Sequence, residues 1–180
     1  MNLKFILLIM IIAGLIPLKL LAQNTKKTVP AQMKNFRVEF ETTKGNFEVE
    51  LFSNVPITTQ NFVHLVSKGF YNGLIFQRYV PGFVIQGGDP TGTGMGGSGH
   101  TIPLEITAHK NVKGALGMAR TSNPDSASSQ FYICLANAPF LNGHYAVFGK
   151  VIHGMRVVMK LRKDDKMLKV FLISSSRDHD

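Results

Sequence analysis

Phe76-Gln-Arg-Tyr-Val-Pro-Gly-Phe-Val-Ile-Gln-Gly-Gly-Asp89 sets one guanidinium, Arg78, among aromatic and aliphatic residues with amide side chains close by. Pro81-Gly82 is a turn signal between two short runs of strand-forming residues, so the stretch reads as paired strands with Arg78 at their surface. A planar, permanently charged donor over an apolar pocket can hydrogen-bond one atom of a peptide while the pocket grips a neighbouring side chain. The stretch contains no obvious nucleophile, no Cys/His ligand cluster and no acid pair, so hydrolytic and metal-assisted mechanisms lack their parts. Taken alone, it equally describes a surface arginine beside two buried strands.

The segments around it sharpen that reading. Upstream lie Asn61-Phe62 and Gly69-Phe70-Tyr71. Downstream come Gly114-Ala-Leu-Gly-Met-Ala-Arg-Thr121, Asp125-Ser-Ala-Ser-Ser-Gln-Phe-Tyr-Ile133 and Phe140-Leu-Asn-Gly-His-Tyr-Ala-Val-Phe-Gly-Lys-Val151. In order and spacing, from about Phe36 to Met159, these motifs resemble the cyclophilin family of peptidyl-prolyl cis-trans isomerases, and their wording looks most like the bacterial secreted members. The resemblance implies an eight-stranded antiparallel β-barrel, mainly β and closed, capped by two α-helices. It also implies rotation about Xaa-Pro bonds without a covalent step or a cofactor.

By the same resemblance, Arg78 polarises the prolyl nitrogen, and Phe83, Val84, Tyr132 and Leu141 match the walls of the proline pocket. Gln86 and Gln130 match donors that position Arg78 and the peptide, and Arg120 matches the position whose backbone holds the residue before proline. Gly94, Ala119, Thr121, Phe140 and Tyr145 complete the groove. The chain departs from well-studied members at Gln77 and Tyr145, where histidine occurs, at Val84 (methionine), at Tyr132 (phenylalanine) and at Phe140 (tryptophan). Gln77 and Tyr145 look peripheral to the Arg78 chemistry. Tyr132 matters more, because its hydroxyl must find a partner or shrink the pocket. An indole replaced by Phe140 implies weak cyclosporin binding.

Composition is consistent with one such domain: 180 residues, 44% hydrophobic and 17% charged, suffice for a sizeable core. The formal charge is +9, or about +7 without Lys4 and Lys19. Its lysines and arginines are scattered, and the densest group, Lys160 to Lys169, is interrupted by Asp164 and Asp165, which favours a solvated face over a nucleic-acid surface.

Residues 1–22 read as a signal peptide, with Lys4 in a positive start, Phe5 to Ile16 as the apolar stretch and Leu20-Leu21-Ala22 before the cleavage point. The apolar run is short for a membrane anchor, which needs about twenty apolar residues. Export to the periplasm or medium is therefore expected. Residues 23–35 read as a flexible lead-in, 36–175 as the isomerase domain and 176–180 as a polar tail. The single cysteine, Cys134, sits in Phe131-Tyr-Ile-Cys-Leu135 as a buried strand residue and allows no intrachain disulfide.

Alternation of Phe36, Val38 and Phe40, and of Phe47, Val49 and Leu51, predicts two strands joined at Lys44-Gly45-Asn46. Pro56 to Lys68 reads as an amphipathic helix stopped by Gly69. Short strands are expected near 75–79, 83–86, 115–119, 130–135, 146–151 and 168–174, with a second helix from about Gly154 to Lys163. The short link that follows leaves the closure of the barrel around Asp164 to Leu172 open. Gly92, Gly94 and Gly97 spell a literal G-x-G-x-x-G, but the run leads into Ser98-Gly-His-Thr-Ile-Pro103, which cannot easily open the helix a dinucleotide loop requires. No pair of the six histidines has ligand spacing with a third partner, so no metal is expected. Asp125-Ser126 lacks a nucleophile elbow.

Two functional classes follow. One is a monomeric prolyl isomerase acting on proline-containing peptides and unfolded exported proteins. The other is a proline-peptide-binding chaperone or interaction module with little turnover.

Overall fold

The computed structural model describes residues 36–173. The expected leader, lead-in and tail lie outside those residues. Eight strands form one antiparallel sheet: β1 (Arg37–Thr42), β2 (Gly45–Leu51), β3 (Arg78–Val80), β4 (Val84–Gly87), β5 (Ala115–Met118), β6 (Phe131–Cys134), β7 (Val147–His153) and β8 (Met167–Ile173), in the order β3-β4-β6-β5-β7-β2-β1-β8. Two α-helices, α1 (Pro56–Ser67) and α2 (Met155–Val158), complete the regular elements with two single 3-10 turns, Pro124–Ser126 and Pro139–Leu141.

The first hairpin follows the alternation. Val38 and Phe40 on β1, with Phe47, Val49 and Leu51 on β2, are all buried, and the Phe40 and Phe47 rings stack at 4.6 Å. The turn, however, falls on Thr43-Lys44, one position before the expected joint. Thr42 Oγ1 donates to Gly45 O at 2.6 Å and accepts from Lys44 N–H at 3.1 Å, and this local pairing sets the reversal.

Helix α1 begins at Pro56, as the fixed φ of proline favours, and stops at Gly69 with φ +68°. Its N-terminus carries no local cap. Instead the Glu105 carboxylate accepts the N–H of Ile57 at 3.3 Å and of Thr58 at 2.9 Å, placing an anion at the positive end of the helix. Phe62 from α1 enters the core against Phe40, Phe131 and Phe148.

Two expectations are corrected. The barrel is only partly closed, because β3 and β8 at the sheet ends form no ladder with each other. The chain before β3 instead bridges the first residue of β8 and the chain just before it: Gly73 N–H donates to Met167 O, Met167 N–H to Leu74 O and Phe76 N–H to Asp165 O, at 2.7–2.9 Å. The curl therefore ends in irregular backbone whose donors are still satisfied. The second helix is also shorter than expected, at four residues. Arg162 N–H donates to the Asp165 carboxylate at 2.7 Å and its guanidinium to the carbonyls of Met159 and Leu161, while Asp164 adopts φ +71°. These contacts turn the chain back toward Phe76 before a further helical turn can form.

The central strands are apolar on both faces. On β6, Phe131 and Ile133 point into the main core, whereas Tyr132 and Cys134 join Val84, Ala115 and Val147 in a second, smaller cluster outside it. A continuous apolar run rather than strict alternation is what a strand covered on both sides requires. The second cluster underlies the candidate site.

Candidate active site

Arg78 and Gln86 are direct partners across the β3–β4 ladder, and Arg78 Nη1 donates to Gln86 Oε1 at 3.2 Å. The guanidinium also stands 5.8 Å from the centroid of the Phe83 ring. Arg78 is exposed on the strand's outer face, at the mouth of a cleft of about 240 Å³ lined by Arg78, Phe83, Val84, Gln86, Ala119, Arg120, Tyr132, Leu141 and Tyr145. No carboxylate, thiol, aliphatic hydroxyl or imidazole lines this cleft. A second hollow continues past Gln86, Ala119 and Arg120, lined by Gly94, Met95, Gly96, Thr121, Ser126, Ser128 and Gln130. The sequence-derived set thus falls along one groove. Phe140 lies at its edge, 67% exposed, with its ring 5.4 Å from that of Phe83.

A chain of amides holds the groove. Gln86 Nε2 and Gln77 Nε2 both donate to Gln130 Oε1 at 2.9 Å, and Gln130 Nε2 donates to the carbonyls of Gly94 and Gly96 at 3.0 and 2.8 Å. Gln130 is thereby committed to the glycine-rich rim rather than presenting free donors. Gln77 is not peripheral, as its sequence position suggests: it is buried and shares the acceptor that orients Gln86, and through Gln86, Arg78. Its own Oε1 has no partner, which leaves one buried acceptor unsatisfied beneath the groove.

The rim itself is tied to Asp89. Its carboxylate accepts the Thr91 N–H and hydroxyl at 2.7 and 2.8 Å and the Gly94 N–H. Burial raises the Asp89 pKa, but the hydrogen bonds from Thr91, Gly96 and Gly94 outweigh that and hold it below the usual carboxylate value. The glycine run is thus an anchored loop, not the start of a helix.

Arg120 closes the other side. Its Nε and Nη2 donate to His144 O at 3.1 and 2.8 Å, Nη1 donates to Thr121 O at 2.7 Å, and the guanidinium lies 4.8 Å from the Tyr145 centroid. The side chain braces the groove in addition to whatever its backbone does. Ser126 is likewise committed: its hydroxyl donates to Asn123 O at 2.7 Å and accepts the Thr121 N–H at 2.9 Å, so it builds a turn rather than a nucleophile.

Tyr132 does find its partner. The hydroxyl turns away from the cleft and donates to Asn111 Oδ1 at 2.7 Å, and burial raises its pKa far above the ordinary phenol value. The ring lies across Gly117, its partner on β5, where a Cβ would come within 2.1 Å of the ring. Neither Asn111 nor Gly117 stands out by residue type; the one signal is a glycine inside an otherwise apolar strand, which marks a close approach. Burial also pushes the Cys134 thiol up to about 12, so it remains protonated and unreactive.

The cyclophilin type peptidyl-prolyl cis-trans isomerase/CLD family model matches residues 26–175. Among curated proteins, a peptidyl-prolyl cis-trans isomerase of Acinetobacter baylyi is 48% identical over 138 residues, covering 72% of this chain and 73% of that protein. One of Helicobacter pylori is 42% identical over 140 residues, covering 75% and 85%. Among solved structures, a Cryptosporidium parvum cyclophilin type peptidyl-prolyl cis-trans isomerase superimposes with a TM-score of 0.74 at 32% identity, covering 78% of this chain and 99% of that one. The same parasite enzyme has been crystallised in the presence of the dipeptide Ala-Pro. With a matching family model, relatives of this identity and a shared eight-stranded fold, the chain belongs to the cyclophilin-type peptidyl-prolyl cis-trans isomerases and is an isomerase of that class.

Proposed function

We propose that this isomerase acts on exported proteins during their folding, and that Arg78 lowers the rotational barrier by donating to the prolyl nitrogen. A peptide bond resists rotation because the nitrogen lone pair is delocalised into the carbonyl, with a barrier of about 18–20 kcal/mol. As the bond twists, the nitrogen pyramidalises and becomes an acceptor. A donor placed there favours the twisted state over both planar isomers. A thousandfold gain needs about 4 kcal/mol, within reach of one charge-assisted hydrogen bond with desolvation and orientation.

The observation that carries this reading is the position of Arg78, held by Gln86 at the mouth of an apolar cleft without a nucleophile. Phe83, Val84, Tyr132 and Leu141 supply surface for a pyrrolidine ring, the group that Ala-Pro carries in the parasite enzyme's experiment. Export rests on the leader-like residues 1–22. The direct test is a prolyl isomerisation assay on the mature domain with Arg78→Ala as control. Binding of proline peptides without turnover would favour the interaction-module alternative.

Cyclosporin binding is expected to be weak, since Phe140 offers less area than an indole and no N–H donor. Phe140→Trp is expected to tighten it, measured by titration calorimetry. Unchanged or weaker binding would show that Phe140 does not occupy the indole's place.

The isomerisation rate at subsaturating peptide is expected to be nearly flat from about pH 5.5 to 8.5, because a guanidinium does not titrate there and no proton transfer is required. Two groups set the acid limit through stability instead. Asp89 has a lowered pKa, so its stabilisation is present above the ordinary carboxylate range and is lost as pH falls through its folded value. His109 stacks on Phe52 at 4.0 Å, and burial together with Lys150 lowers its pKa; its neutral form is favoured in the fold, and stability declines as pH drops below about 6.5. A bell-shaped profile with tenfold losses on both sides, with folding verified at each pH, would restore acid-base catalysis.

A further inference from the structure

Asn111 is buried in the loop before β5, outside the groove, and makes no contact with Arg78 or its amide chain. It nevertheless bonds to two elements that wall the apolar cleft. Its Oδ1 accepts the Tyr132 hydroxyl at 2.7 Å. Its carbonyl accepts the Ala138 N–H at 2.7 Å, and its own N–H donates to Asn142 Oδ1 at 2.8 Å, with Nδ2 following at 3.2 Å. Ala138 and Asn142 are the two caps of the 3-10 turn Pro139–Leu141, the turn that carries Phe140 and Leu141. One residue therefore pins both ends of the turn that carries Leu141 and the tip of the Tyr132 side chain, two of the residues that wall the cleft.

The Tyr132 ring has no room to retreat from the cleft, because it already lies against the bare Cα of Gly117. Asn111 Oδ1 is the hydrogen-bond partner of its hydroxyl among the described residues, and a phenol deprived of that partner gains one by turning toward the open groove. An unsatisfied buried phenol would therefore tilt into the space the ring substrate needs.

We propose that Asn111 is a positioning residue for isomerisation, acting through the Tyr132 hydroxyl to keep the proline pocket apolar and open. The role rests on the reading of this cleft as the proline pocket. The backbone bonds of Asn111 to Asn142 and Ala138 survive substitution of its side chain, whereas the Nδ2 contact to Asn142 and the Cys134 thiol contact are lost together with the hydroxyl contact, so a second variant at Tyr132 is needed to single the hydroxyl out.

Asn111→Leu is expected to raise KM for an Xaa-Pro peptide about fivefold or more with kcat within about twofold. Adding Tyr132→Phe, which has no hydroxyl to satisfy, is expected to abolish the effect of Asn111→Leu, so that KM of the double variant lies within about twofold of Tyr132→Phe alone. A purely structural role would lower the melting temperature and leave KM unchanged well below it; that result overturns the inference, as does a KM in the double variant more than about threefold above that of Tyr132→Phe alone. If Asn111→Leu does not fold, the apolar pair is compared with Tyr132→Phe alone. Equal KM values support action through the hydroxyl, and a difference above about threefold refutes it. Arg78→Ala is assayed alongside: if it retains activity, the cleft itself has been misread, whereas loss of activity there with wild-type KM in Asn111→Leu overturns only the role of Asn111.

Discussion

Arg78→Ala is expected to lower kcat/KM for an Xaa-Pro test peptide by about a hundredfold or more, the scale on which enzymes lose rate when one preorganised donor to developing charge is removed. The melting temperature should hardly change. Arg78 is exposed at the sheet edge, its one side-chain hydrogen bond is the 3.2 Å contact to Gln86, and substitutions at such positions usually stay within about 0.5 kcal/mol. Gln86 keeps its bond to Gln130, so the amide chain survives the loss. Arg78→Lys should recover only part of the rate, because an ammonium keeps the charge but not the planar fork that Gln86 orients. Activity near wild type in the alanine variant, with an unchanged melting temperature, would falsify the proposed mechanism.

The second large effect is on stability. Phe131→Ala is expected to cost about 3–5 kcal/mol and lower the melting temperature by roughly 10 °C. The ring is fully buried at the centre of the main core, with centroids 5.7 Å from Phe40, 5.5 Å from Phe62, 5.6 Å from Tyr71 and 6.4 Å from Phe76. These rings come from separate segments, so no local rearrangement fills the cavity left behind. Because Phe131 sits between Gln130 and Tyr132, the cavity also opens beneath the groove. Calorimetry of the variant checks this, and a drop of less than about 3 °C would mean that the ring is not central to the core.

Arg78 lines the groove and Phe131 lies in the main core between two groove residues of the chain, and they are not equally legible in the sequence. Arg78 stands out in a linear reading, as a charge within an apolar, turn-broken stretch. Phe131 is one of thirteen phenylalanines, and only the barrel makes it the hub of four other rings. The place of Gln77 is hidden for the same reason: its bond to Gln130 spans 53 positions, and nothing in the local pattern signals that the distant Gln130 Oε1 accepts from both Gln77 and Gln86. The second helix was overestimated because an apolar period continues through Leu161, whereas the Asp165 carboxylate and the Arg162 guanidinium bond to the turn and end it early.

The sequence by itself determined the approximate places of the strands, the first helix, the family and the residues that line the apolar cleft, but not Met95, Gly96, Ser126 and Ser128 of the adjoining hollow, because period-two alternation, Pro and Gly punctuation and the motif order are properties of neighbouring residues. Tertiary structure alone decided how far the barrel closes, that Glu105 caps α1 across 47 positions, and that Asn111 takes the Tyr132 hydroxyl across 21. Each of these joins groups that become neighbours only when strand order and curl bring them together, and a buried donor or acceptor must then accept whatever partner the fold supplies.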